Sequence, residues 1–130
     1  MTETTAAPAV GAVSWPEIDA LHLEFEALGA RLAAGADLPA TLAALVEHVD
    51  RHFGTEERLM TETGCPMLGC HQREHAGVRE VVVEVQRRLA AGEPEYAQRL
   101  AEALPEWFAL HAGSMDAALA QFLRARVERV

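Results

Sequence analysis

The feature that most restricts the fold of this chain is a set of polar residues standing where helical periodicity reserves positions for a core. Leu45, Val49, His52, Glu56 and Leu59 step by four, three, four and three, which defines one face of a helix. A second run, Leu68, His71, His75, Val78, Val82, Val85 and Leu89, carries two histidines in its seam in the same way. Ile18, Leu21, Phe25, Leu28 and Leu32 form another stripe with His22 on its border. The last is Leu100, Leu104, Trp107 or Phe108, His111, Met115 and Phe122. The spacing therefore predicts four helices, each with a buried face interrupted by histidine or carboxylate.

Punctuation between the stripes agrees with that reading. Ser14-Trp15-Pro16-Glu17 has the pattern of a capping box and predicts a helix start. Gly35 ends the first helix, and Asp37 with Pro39 opens the second, which runs to about Thr63. Gly64 and Pro66 mark the next boundary, and Ala91-Gly92-Glu93-Pro94 the last. Pro105 should kink the final helix or split it. Connections this short make consecutive helices antiparallel, so the expected fold is all-α, an up-down-up-down four-helix bundle. Residues 1–13 lack periodic apolar positions and are expected to be a disordered tail, leaving 14–130 as a single domain.

Composition excludes several classes of function. A chain of 130 residues buries about two-thirds of its unfolded surface around one core. Its formal charge of −9 repels phosphate backbones and anionic lipid, so nucleic acid and membrane surfaces are not expected partners. No apolar run approaches the roughly 20 residues of a membrane span, and the N-terminus has no secretory-signal pattern, so a cytoplasmic location is expected. Cys65 and Cys70 are too close in sequence for a disulfide to contribute much, and read as small buried hydrophobes.

An ionised carboxylate in an apolar seam costs several kcal/mol unless something pairs with it. The eleven Lys and Arg residues, all of them arginine, mostly fall off the stripes, whereas the histidines fall on them, and a neutral imidazole cannot supply the missing positive charge. A metal ion can. His52 and Glu56 project from one helix face at i, i+4, His71 and His75 repeat that geometry, and His22, His111 and Asp116 add donors from the other two helices. Imidazole and carboxylate without thiolate suit iron, manganese or zinc. Seven donors exceed the needs of one ion. Two ions sharing both carboxylates and a hydroxide would leave one coordination position for a small ligand.

The segments His22, His52-Phe53-Gly54-Thr55-Glu56-Glu57, His71-Gln72-Arg73-Glu74-His75 and His111-Ala112-Gly113-Ser114-Met115-Asp116 resemble, in order, the H…HxxxE…HxxxH…HxxxxD pattern of hemerythrins, the bacterial ones in particular. Trp15, Asp19, Met60, Pro66 and Trp107 match as well, and the resemblance spans roughly residues 14 to 124. It implies two non-haem irons, one held by His71, His75 and His111 and the other by His22 and His52, with Glu56, Asp116 and an oxo or hydroxo group bridging. It also implies reversible binding of dioxygen as a hydroperoxide on the second iron, behind an apolar pocket to which Phe25, Phe53 and Trp107 would contribute. Nitric oxide and small anions such as azide are further ligands that such a centre would admit, and a monomer is the expected state.

Some residues carry a second reading. Glu57 points about 100° away from Glu56 and reads as part of a solvated face. Asp116 is five residues beyond His111, a spacing that shares no face on a regular helix, so a local distortion near Gly113 is needed. His48, where related bacterial proteins often carry an aromatic residue, is a hydrogen-bonding neighbour of a ligand, an additional ligand, or a partly exposed helix residue. Trp107 and Phe108 serve core and pocket wall alike. The expected function is an oxygen carrier, store or delivery protein and not an enzyme. The alternatives are a di-iron oxidase, peroxidase or nitric-oxide-handling enzyme, or a sensor acting through a separate partner.

Overall fold

The computed structural model describes residues 11–128. They form α1 (Pro16–Ala33), α2 (Leu38–Thr63), α3 (Leu68–Ala90), α4 (Glu95–His111), a π-helical turn (Ala112–Asp116) and α5 (Ala117–Glu128), with no strand among the described residues. Because α5 continues α4 through the π turn, there are four helical columns. α1 packs on α2 and α4, and α3 packs on the same two, which closes the antiparallel four-helix bundle.

Helix boundaries follow local chemistry, with two departures from the sequence reading. Asp37 caps α2, accepting from the Ala40 N–H at 3.3 Å, and Gly64 closes it with φ 68°, where a side chain would be strained. At α1 the expected capping box does not form, because Ser14 adopts a left-handed conformation (φ 62°) and the N-cap is Trp15, which makes no side-chain cap. Asp19 does this work from inside the helix, accepting from the Val13 N–H at 2.7 Å and the Trp15 N–H at 3.2 Å. α4 runs unbroken through Pro105, so the last helical region is not split there. Pro105 is exposed, and carbonyls on that face can turn to water.

The expected tail is a third departure. Its residues 1–10 lie outside the described residues, but from Gly11 the chain packs on the bundle: Val13 is buried, and Arg124 donates to the Val13 carbonyl at 2.6 Å. Cys65 is buried as expected, whereas Cys70 is exposed, and both thiols are free.

The core has three layers. One apolar cluster, built on Phe25, Leu42, Leu45, Val49, Val82 and Leu100, fills the end near the α1–α2 connection. A smaller one, with Val13, Ile18, Met60, Cys65, Leu119 and Leu123, fills the other end. Between them all four columns switch to polar residues, which gives a layer of histidine and carboxylate sealed above and below by hydrocarbon.

Candidate metal centre

The five histidines and two carboxylates singled out by spacing converge in that middle layer. His22 comes from α1, His52 and Glu56 from α2, His71 and His75 from α3, and His111 from the end of α4. Asp116 is the last residue of the π turn. Every one of the seven is at most 3% exposed. The π turn resolves the awkward five-residue spacing, because a π helix repeats at i, i+5 and so returns Asp116 to the face of His111. Their side chains meet at 3.1 Å, His111 Nε2 to Asp116 Oδ1.

All five imidazoles present Nε2 to the two carboxylates, and the carboxylates divide the histidines into two groups. Glu56 Oε2 lies 2.8 Å from His52 and 3.4 Å from His22, while its Oε1 lies 3.2 Å from His75. Asp116 Oδ2 faces His22 at 2.9 Å, while its Oδ1 faces His71 at 2.9 Å. One oxygen of each carboxylate is thus turned to each group. Ligand atoms of Glu56, His71, His75, His111 and Asp116 lie within 4.8 Å of one another, as do those of His22, His52, Glu56 and Asp116.

These donors fit cations. The Nε2 atoms of His22, His75 and His111, with Glu56 Oε1 and Asp116 Oδ2, are buried and make no well-formed hydrogen bond, although all point into one small volume. Five orphaned buried polar atoms are costly in a stable core, and coordination to metal would satisfy them together. Charge leads to the same place. Burial would raise the Glu56 carboxyl, but the nearby imidazoles of His22, His52 and His75 outweigh it and hold the group down at about 2. Burial likewise opposes ionisation of Asp116, yet His111, His22 and His71 hold it far below the ordinary carboxylate range. The converse holds for His22, which burial would lower but Asp116, Glu56 and the Gly11 carbonyl raise to about 10. Without metal, the carboxylates draw protons onto the imidazoles; the layer is built for positive charge.

Behind the inward nitrogens, four of the five rings have a partner near Nδ1. The Gly11 carbonyl accepts from His22 Nδ1 at 2.7 Å, and Glu57 Oε2 from His75 Nδ1 at 2.8 Å. His48 Nε2 lies 3.0 Å from His52 Nδ1. Glu74 Oε1 stands 3.7 Å from His111 Nδ1 and is itself held by the Trp107 indole N–H at 3.0 Å. Such partners place the proton on Nδ1 and leave the Nε2 lone pair facing the centre. His48 is therefore neither a member of the central cluster nor exposed: it is fully buried beside His52. Burial, with His52 alongside, holds its imidazole down at about 4, so the ring is neutral. Gly11, Glu57 and Glu74 were not legible as site residues. The adjacent Glu56-Glu57 pair and the glutamate inside His71-Gln72-Arg73-Glu74-His75 were the available signals.

Aromatic rings wall the layer. Phe53 stacks on His75 at 3.9 Å between centroids, and Trp107 on His111 at 4.7 Å. Phe25 stands edge-on to His52 at 6.1 Å, and Phe108 edge-on to His22 at 4.9 Å. Phe25, Phe53, Trp107 and Phe108 thus each stand against a ring of the cluster.

Comparison with known proteins agrees with this geometry. Residues 14–123 match the profile of the hemerythrin HHE cation binding domain. The chain is 36% identical over 126 residues to a bacteriohemerythrin of Ralstonia nicotianae, an alignment covering 88% of this chain and 90% of that protein. It is 31% identical over 75 residues to a bacteriohemerythrin of Methylococcus capsulatus, covering 58% of this chain and 57% of the other. The four-column bundle, the polar layer that interrupts its core and a family match spanning nearly all of the described residues establish that this chain belongs to the hemerythrin family.

Proposed function

We propose that the protein binds dioxygen reversibly at a pair of non-haem irons and acts as an oxygen carrier, store or delivery protein, not as an enzyme. In this reading His71, His75 and His111 would hold one iron, His22 and His52 the other, and Glu56 and Asp116 would be shared between them. The observation that carries it is the division of labour between carboxylate oxygens: Glu56 and Asp116 each turn one oxygen toward each histidine group, an arrangement suited to two cations side by side. When bound, the iron pair supplies two electrons and a place for dioxygen.

The chain's own residues favour release over turnover. The histidine group of His22 and His52 has two ring donors against three in the other, so it is the less filled of the two. Phe25 and Phe108 stand edge-on to those two rings and exclude water from that side, which slows the protonation and escape that would convert a carrier into an oxidase. The two further carboxylates at the cluster, Glu57 and Glu74, face the outer Nδ1 atoms of His75 and His111 and not the centre. Glu57 and the Gly11 carbonyl fix their ligand rings by hydrogen bonds, so the site keeps its shape through a binding cycle. Anaerobic iron loading tests the assignment. Two irons per chain and uptake of one dioxygen per pair, returned under vacuum, are expected; one iron per chain, or dioxygen consumed without return, would contradict it.

A further inference from the structure

The hydrogen-bonding pattern around His52 extends further than that of the other histidines. His48 stands one turn earlier on α2, is fully buried, and touches His52 Nδ1 through its Nε2 at 3.0 Å. Its other nitrogen, Nδ1, is buried without a well-formed hydrogen bond, and the acceptor within reach is Glu24 Oε1 on α1 at 3.2 Å. Glu24 is 42% exposed and is clamped by Arg51, whose Nη2 approaches Oε1 and whose Nη1 donates to Oε2 at 3.2 Å. Arg51 also donates from Nε to Glu47 at 3.1 Å. A continuous line therefore runs from the site through two buried imidazoles to an ion pair at the surface.

Ligation would polarise this line in one sense only. With the His52 Nε2 lone pair given to a cation, the ring's proton must lie on Nδ1 and be donated to His48. His48 Nε2 is then an acceptor, and the neutral His48 ring must carry its proton on Nδ1, aimed at Glu24. The exposed carboxylate sits at the end of a flexible side chain and can turn to take it. Hydrogen bonds that polarise one another in a dry interior strengthen together, so an anionic acceptor at the far end makes His52 a stronger donor to metal.

We infer that His48 and Glu24 are positioning residues for the metal centre, a His52–His48–Glu24 relay in which a surface carboxylate, held by Arg51, sets the tautomer and donor strength of a buried ligand. The inference rests on the reading of His52 as a ligand. No other ring of the cluster has this arrangement: His22 ends on a backbone carbonyl, and His75 meets a carboxylate directly. It follows that one of the two cation positions, the one served by His22 and His52, is coupled to the outer face of the α1–α2 pair.

Three variants separate this from simple packing. His48→Phe keeps the ring volume without donor or acceptor, His48→Gln keeps one of each at similar reach, and Glu24→Gln leaves the core untouched while removing the charge. In anaerobic iron(II) titrations against a chelator, H48F should weaken one of the two ions about 10–100-fold, the usual cost of losing such a partner. H48Q should restore binding to near wild type, and E24Q should weaken the same ion by less than H48F. The midpoint potential of the pair should rise in H48F and E24Q, because a weaker donor favours the ferrous state, while H48Q should stay near wild type. In zinc-loaded protein, nitrogen-15 shifts should report Nδ1–H on both His48 and His52. Failure of the wild type to take up two ions would remove the underlying assignment. Normal uptake with H48F and E24Q unchanged in affinity and potential, or a His48 protonated on Nε2 in the zinc form, would overturn the relay alone.

Discussion

Gly11 shows how much one residue outside the helices can control. Its φ of 89° is one that side chains avoid, a Cβ there would stand 2.8 Å from two ring atoms of Phe108, and its carbonyl orients His22. Gly11→Ala is therefore expected to destabilise the protein by about 1–3 kcal/mol and to loosen the iron served by His22. Urea unfolding and iron content measured on the same preparation would check both effects. His22, His52, Glu56, His71, His75 and His111 were legible in the sequence because each falls on a helical stripe or its border. Gly11 was not, because an irregular segment has no period to read. Glu57 was misjudged for a related reason: one residue off the stripe it points sideways, and only the packing of α3 brings His75 Nδ1 to within 2.8 Å of it.

Among the elements, the π turn between α4 and α5 departs most from regular helix. It returns Asp116 to the face of His111 and also sets the rotation of α5, which buries Leu119, Ala120 and Leu123. Inserting one alanine after Gly113 adds a residue beyond the one that the π turn absorbs and rotates one side of the turn by about 100°. Either Asp116 leaves the carboxylate pair or α5 turns its apolar face to water. The expected result is loss of at least one iron and of about 3 kcal/mol or more of stability, read from metal analysis and from chemical unfolding. The need for a distortion could be argued from the HxxxxD spacing, but its form could not, since spacing alone does not choose between a π turn and a kink. Pro105 misled in the opposite sense. Helix-breaking chemistry is outweighed where the residue is exposed and Leu104 and Phe108 on either side anchor α4 in the core.

At the scale of the whole molecule, the apolar cluster at each end predicts a bundle that folds without metal, and the buried polar layer between them predicts a stability that depends on metal. Removal of iron by a chelator should leave helix content nearly intact but lower stability, by about 4 kcal/mol for each iron lost relative to protein with free metal at a thousand times its Kd. Circular dichroism with thermal unfolding would measure both. Metal entry must also displace protons. Burial would lower His22 and His75, but the carboxylates outweigh it, raising His22 to about 10, so that this imidazole is protonated at neutral pH in the metal-free protein, and moving His75 in the same direction. Loading at pH 7 should release at least about one proton per chain, that of His22, and acidification should favour metal loss, since protons and cations compete for the same nitrogens. Calorimetry in buffers of different ionisation enthalpy would count the protons.

Reversibility is most directly tested by an optical spectrum of the anaerobically reduced, iron-loaded protein taken before air, after air and after removal of air, over several cycles. A visible charge-transfer band that appears with air, fades on deoxygenation and returns undiminished is the predicted result. Conversion in the first cycle to a stable ferric spectrum that deoxygenation does not reverse would contradict it.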